Sequence, residues 1–325
     1  MIRAFQEQLA FGLDGFVSSL YLSVEIGSLY ALMAVGFTLT MGVTKIPNLA
    51  HAEYVTIGAY ICMYMTRFMG SGLAEALVVS FLATSATAWL SYRLLFRPMI
   101  ARGSSSFILM IGSFALDLIL RYSLYMVAAP NNWLGVPTGV GISVVTKFGF
   151  LYITNIFVWA VPTAIALMFL LRLFMQRTRA GKTMRAISDN RQLAQAIGVD
   201  PERVYNLTFI ISGGLAGIAG GFYVVFTLAH PELGYQAMVD IFAASSIGAY
   251  LSLPATIVGG FIVGLAENAG INVLNQLFGV SFTFKPLMPI LIIVLVLIIR
   301  PTGLSDISFS RMKSEIKMAL GRLRT

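Results

Sequence analysis

Charge is what this chain has least of: only 11% of its 325 residues are Asp, Glu, Lys or Arg, against roughly 25% in soluble domains. With 58% hydrophobic residues and a mean hydropathy of +0.83, that scarcity excludes an ordinary water-soluble domain. Cysteine is almost missing. A single residue, Cys62, excludes an internal disulfide, and its apolar surroundings in the sequence make it a packed thiol. The two histidines, His51 and His230, fall in segments expected at opposite faces, which excludes a histidine-built metal site. No Gly-x-x-x-x-Gly-Lys-Ser/Thr stretch is present to cradle phosphate. No Ser-His-Asp grouping or paired-carboxylate motif is present either, so no catalytic, cofactor-binding or metal residue is assigned. The amino-terminal stretch MIRAFQEQLAFGLDGF holds too short an apolar run for a cleaved signal peptide. The first span is therefore read as an uncleaved targeting signal.

What is abundant is long uncharged sequence. Phe148–Leu171, Val204–Ala229 and Ile241–Ala266 carry no charged residue, and each can cross a hydrocarbon core of ~30 Å. The expected fold is all-α, a polytopic transmembrane helical bundle embedded in the lipid bilayer. Basic residues cluster at Arg93–Arg102, Arg172–Arg203 and Arg300–Arg324, 16 of 22 in all. The positive-inside bias places these three segments in the cytoplasm. The net charge of +8 thus follows membrane orientation and gives no sign of nucleic-acid binding. Spans are expected near 16–42, 47–68, 75–95, 104–128, 150–172, 204–229, 237–250, 254–277 and 286–299. The pair broken at Leu251-Ser252-Leu253-Pro254 reads equally as two half-helices, so eight or nine spans fit. The Pro/Asn/Gly-rich segment 129–141 and the His230-Pro231-Glu232 turn are expected outside.

Within the spans, Gly213, Gly217 and Gly221 recur every four residues, and Gly260 and Gly264 repeat the spacing. Such small-residue stripes let helix backbones approach closely in lipid. Ile57-Gly58-Ala59-Tyr60 recurs as Ile247-Gly248-Ala249-Tyr250, each beside a broken apolar stretch. That is either a chance match or a pair of interruptions marking a transport path. Ionisable residues expected at membrane depth are Glu25, His51, Glu53, Asp117, Arg121, Asp240 and Glu267, and each must face protein or water. Asp117 and Arg121 are four apart, which predicts an intramembrane ion pair on one helix face. His51 and Glu53, just after Pro47, read either as interfacial residues or as a functional cluster with Asn48.

One stretch breaks the apolar pattern. Arg172–Arg203 holds seven basic and three acidic residues. Ser188 or Asp189 is expected to cap a short helix that Gly198 ends, and Asp200-Pro201-Glu202 to start the next. It reads as a solvated loop or as a helix on which a soluble partner pushes.

Three spaced motifs resemble one family. Gly27-Ser28-Leu29-Tyr30-Ala31-Leu32 with Gly36-Phe37-Thr38 and Asn48-Leu49-Ala50-His51-Ala52-Glu53 is similar to the permease subunits of branched-chain amino-acid ABC importers, where the last motif usually reads Asn-Phe-Ala-His-Gly-Glu. Arg177–Arg203 resembles that family's cytoplasmic loop, and Arg300-Pro301-Thr302-Gly303-Leu304 its carboxy-terminal ending. The resemblance covers roughly 20–305. It implies one permease domain over 1–305, with a coupling loop at 172–203, and a basic tail at 306–325. It implies a coupling helix near 188–198, with Gly181, Arg185, Asn190, Ala194 and Gly198 contacting ATPases. A translocation path or gate would use Asn48, His51, Glu53, Gly248 and Pro254. The implied partners are two ABC ATPase subunits, a second related permease or a second copy, and an extracytoplasmic substrate-binding protein. ATP would be hydrolysed by the separate subunits, this chain having no phosphate-cradling loop, no cofactor and no enzymatic role of its own. The chain departs from the family at Ala249, Tyr250 and Leu251, where glycines are usual, and at Asp117 and Arg121, usually uncharged. Urea, short amides or another small solute are therefore alternatives to branched-chain amino acids, and an ion-coupled secondary transporter is the alternative of a different class.

Overall fold

The computed structural model describes residues 2–148 and 151–299. The expected ending at 300–304 and the tail at 306–325 lie outside the described residues, as does the last part of the 1–305 domain. Helix α1 runs Ile2–Thr44, α2 His51–Arg67, α3 Leu73–Ala101 and α4 Ser106–Ala128. A hairpin follows, of β1 Val144–Phe148 and antiparallel β2 Leu151–Thr154. Then come α5 Asn155–Arg177, α6 Arg179–Asp189, α7 Arg191–Ala196, α8 Pro201–Phe226, α9 Leu233–Ile247, α10 Leu253–Phe278 and α11 Leu287–Ile299. Six of these helices are long and apolar enough to cross a membrane.

Small residues decide which helices sit at the centre. A Cβ on Gly58 of α2 would strike the backbone of Gly217 of α8. On Gly220 it would strike the Val55 carbonyl, and on Gly213 and Gly217 it would strike Thr84 and Ala88 of α3. Gly260 and Gly264 of α10 seat in the same way on Ala31 and Gly27 of α1. The stripes legible in the sequence are thus the seams of the bundle, where backbones come close enough for dispersion and side-chain hydrogen bonds to hold helices together. Ser85 donates to the Ile210 carbonyl at 2.9 Å, and Ser80 to the Gly58 carbonyl at 3.1 Å. The most apolar window of α1 is 94% buried, that of α8 72% and that of α4 22%. α1 is the axis of the bundle, and α4 is a peripheral helix.

Two departures from the sequence expectation matter for function. The expected span 150–172 begins instead with a hairpin, and the helix starts at Asn155. Val144-Val145-Thr146 and Tyr152-Ile153-Thr154 are β-branched and aromatic and suit paired extended chain. Hydropathy alone cannot separate them from the helix that follows. Thr154 then caps that helix, its Oγ1 accepting from the Phe157 amide at 3.2 Å. The second departure is depth. After α1 ends, residues 45–50 fold back along it, so that His51 reaches Met33 and Gly36. Met33 lies eleven residues before Thr44, about 16 Å inside the end of α1. α2 therefore starts inside the bundle.

Candidate functional site

The polar loop forms two short helices with complete caps. Thr178 Oγ1 accepts from the Gly181 amide at 3.0 Å to open α6, and Gly181 packs against the Phe174 carbonyl and Met175. α7 is capped by Asn190, whose Oδ1 accepts from the Leu193 amide at 3.0 Å. It ends at Gly198 with φ +88°, a left-handed conformation that costs glycine nothing. Asp200 opens α8 by accepting from the Glu202 amide at 2.9 Å, with Pro201 at the first helical position. The cap expected at Ser188 or Asp189 is thus one residue further on. Ser188 is used otherwise: its hydroxyl donates to the Gly42 carbonyl at 2.9 Å, tying the loop to the end of α1. Ala194 is buried, whereas Leu193 and Ile197 are 63% and 73% exposed. Arg185 and Ser188 share a cavity of about 300 Å³ with Gly42, Leu253 and Pro254, so the loop and the 248–254 break face one space.

That break is conformationally demanding. Ala249 and Tyr250 sit at φ +49° and +59°, where each L side chain costs roughly 1–2 kcal/mol. Gly248 packs against Ser252 and Thr256, and Thr256 Oγ1 lies 3.0 Å from Thr38 Oγ1 of α1. The 47–53 turn is on the other side of one aromatic ring. Phe37 of α1 has its centroid 5.9 Å from that of His51 and 6.3 Å from that of Tyr250.

His51 uses both ring nitrogens. Nε2 lies 3.0 Å from the Met33 carbonyl, an acceptor, so it carries the proton. Nδ1 then accepts from the Ser212 hydroxyl at 3.3 Å. The ring therefore pins α2 to α1 and α8. Asn48 is buried, and its carbonyl accepts from the His51 amide at 3.2 Å.

Glu53 belongs to a different group. Arg121 Nε lies 3.0 Å from Glu53 Oε1, and Arg121 Nη2 lies 2.6 Å from Asp117 Oδ2. The expected Asp117–Arg121 pair is present, but it is one side of a three-membered cluster that joins α4 to α2. The guanidinium stacks over the Tyr235 ring of α9, 4.1 Å from its centroid. A second group lies between α1, α9 and α10. Tyr30 donates to Glu267 Oε2 at 2.8 Å, and Lys285 Nζ reaches Asn268 Oδ1 at 3.1 Å and Glu267 at 3.9 Å. Tyr30, Tyr235 and Lys285 were not legible as site residues, because nothing local in the sequence marks a tyrosine or loop lysine as the partner of a distant charged group.

A bundle of apolar helices with ionic groups held inside it defines a multi-pass membrane protein. Residues 21–299 match the family model described as branched-chain amino acid transport system / permease component, and the chain belongs to that family. It is 30% identical over 299 residues to a probable branched-chain amino acid transport permease protein of Methanocaldococcus jannaschii, covering 90% of this chain and 93% of the relative. It is 28% identical over 312 residues to the high-affinity branched-chain amino acid transport system permease protein LivH of Escherichia coli, covering 89% and 95%. Among solved structures, PsaBC from Streptococcus pneumoniae in complex with Fab is 15% identical, with a TM-score of 0.48 and 90% and 97% of the two chains covered.

Proposed function

We propose that this chain is the membrane-spanning subunit of a binding-protein-dependent ABC importer that moves branched-chain amino acids into the cytoplasm, with ATP hydrolysed by separate subunits. The observation that carries this reading is the match to the permease family over 21–299, nearly the whole described chain. Relatives that share about nine-tenths of its length are named for branched-chain amino-acid transport. The complex would hold two ATPase subunits, a second related permease or a second copy, and an extracytoplasmic binding protein. All nine apolar helices of the described residues would enter the membrane, and the described parts of α2, α9 and α11 reach only part-way, since 17, 15 and 13 residues rise about 26, 22 and 20 Å.

In this reading α7 is the coupling helix. Its capped ends fix its geometry, and its exposed Leu193 and Ile197 give an ATPase an apolar hold. ATPase closure would push α7, and the Ser188–Gly42 hydrogen bond would carry the push to α1 and the 248–254 break. Replacing Leu193 and Ile197 with Asp leaves the fold intact, because both side chains are exposed. It should lower ATPase co-purification and ATP-driven leucine uptake at least ~tenfold, the effect of losing about 1.4 kcal/mol of contact. Full uptake by the double variant would remove α7 from the coupling role. ATP-driven uptake of urea instead of leucine through the intact complex would move the solute, not the mechanism.

A further inference from the structure

Helices α5 and α10 both pack against α1 and scarcely touch each other, so a groove runs between them with α1 as its floor. This is the cavity of about 300 Å³ that Arg185 and Ser188 of α6 reach. Val35 and Leu39 form its floor, Met168 and Leu171 of α5 one wall, and Ile257 of α10 the other. Val35 and Met168 each lie nine residues before the end of their helix, at Thr44 and Arg177. The groove therefore reaches about 14 Å inward, close to one leaflet of a hydrocarbon core of ~30 Å. The Thr38 hydroxyl inside it is already engaged with that of Thr256. On the outer flanks, Phe169 and Leu170 of α5 and Val258 and Ile262 of α10 are exposed, so the groove opens where hydrocarbon is expected. Its mouth is different. Arg172 of α5 and Arg185 of α6 line it and are exposed, and neither guanidinium has an ion-pair or hydrogen-bond partner among the described residues. Arg172 lies five residues inside the end of α5, about 8 Å in, and snorkels to reach headgroup level. Asp189 is the one carboxylate lining the mouth among the described residues. It stands in the field of Lys45, which leaves the two arginines in excess.

We propose that this groove holds an anionic phospholipid of the leaflet on the α6–α7 side, with one acyl chain along α1 and the phosphate between Arg172 and Arg185. Arginine meets phosphate oxygens with paired N–H groups. Anionic lipids concentrate in the cytoplasmic leaflet, the side to which the positive-inside bias assigns the basic loop. The order along the groove decides the occupant. It is apolar for the length of one leaflet and then cationic at headgroup level, which is the order of a phospholipid and not of a small free anion. The larger cavity between α3 and α5, about 580 Å³, has no charged residue in its lining and so selects no headgroup. Ser188 ties α6 to Gly42 beside the mouth, so the lipid braces the polar loop against α1 and the 248–254 break. The site stands independently of which solute the chain moves.

The full-length chain in phosphatidylcholine nanodiscs, with whatever subunits co-purify, tests this with trace phosphatidylglycerol that carries a diazirine on one acyl chain. Crosslinks should map to Leu39, Met168 or Ile257, inside the groove. Arg172→Gln combined with Arg185→Gln should weaken this labelling ~thirtyfold, the effect of losing two interfacial cations. Asp189→Asn should strengthen it. All three side chains are exposed, so the variants keep the fold, and labelling at Leu82 in the α3/α5 cavity should stay constant throughout. Equal labelling of the α1 groove by the same diazirine on phosphatidylcholine would overturn the headgroup assignment, as would indifference to the arginine variants. Displacement of the crosslink by millimolar glycerol phosphate would give the arginines to a free phosphate and overturn the lipid. Labelling at Leu82 without any in the groove would mean that protein covers it, and would overturn the proposal as well.

Discussion

Arg121 shows how much one side chain can matter when water is far away. Exposed pairs such as Arg97–Glu202, 3.0 Å apart and over 40% exposed on each side, contribute about 0–1 kcal/mol. Arg121 instead holds two carboxylates that are almost fully buried, Glu53 and Asp117. Removing one partner of a buried ion pair costs about 3–5 kcal/mol, because a charge is left without compensation. Arg121→Ala should therefore collapse membrane abundance and lower the melting temperature in detergent by several degrees, whereas Arg97→Ala should leave both unchanged. Equal effects from the two would show that the cluster carries no more weight than a surface pair. The Asp117–Arg121 half was legible because four residues on a helix is one turn. Glu53 was not, because it lies 68 positions from Arg121, and only the fold brings them together. His51 was read both ways from sequence. Its two nitrogens meet the Met33 carbonyl of α1 and the Ser212 hydroxyl of α8.

At the scale of elements, the glycine stripes were the most legible feature, since a four-residue repeat of small residues in an apolar run has one common use in lipid. Their geometry separates essential from incidental glycines. A Cβ at Gly220 falls on the Val55 carbonyl, whereas a Cβ at Gly72 meets nothing within 4 Å. Gly220→Leu should push α8 off α2 and cost about 1–3 kcal/mol or more, the usual range for overpacking, while Gly72→Ala should be neutral. Thermal unfolding of the two variants in detergent distinguishes them, and equal melting would mean that α2 and α8 are not tightly docked. What hydropathy could not reveal was depth. Segment 47–68 read as an ordinary span and 237–250 as a span or a half-helix, yet α2 begins beside Met33 and α9 beside Thr56. Both starts are set by tertiary hydrogen bonds, not by composition. The hairpin at 144–154 was hidden for the related reason that an apolar strand and an apolar helix look alike until partners are known.

At the scale of the molecule, the two ends of the bundle differ in character, and that difference fixes an orientation to test. One end gathers Lys45, Arg102, Arg185 and Arg191 around the capped helices α6 and α7. Partial burial draws the Lys45 ammonium below the usual lysine range, and the Asp189 carboxylate draws it back up, so the end of α1 and the end of α6 share one electrostatic environment. The other end carries the hairpin, the 129–141 segment and the 227–232 turn, joined where the Ala229 amide donates to the Val136 carbonyl at 2.9 Å. Positive residues are retained on the cytoplasmic side during insertion, so the α6–α7 end should face the cytoplasm and the hairpin end should face out. Asn131 and Lys182 are both exposed and lie at opposite ends. In intact cells, Asn131→Cys should react with an impermeant thiol reagent and Lys182→Cys should not, and opening the cells should make Lys182→Cys reactive. The reverse pattern would turn the bundle over. It would put α7 where no ATPase could reach it.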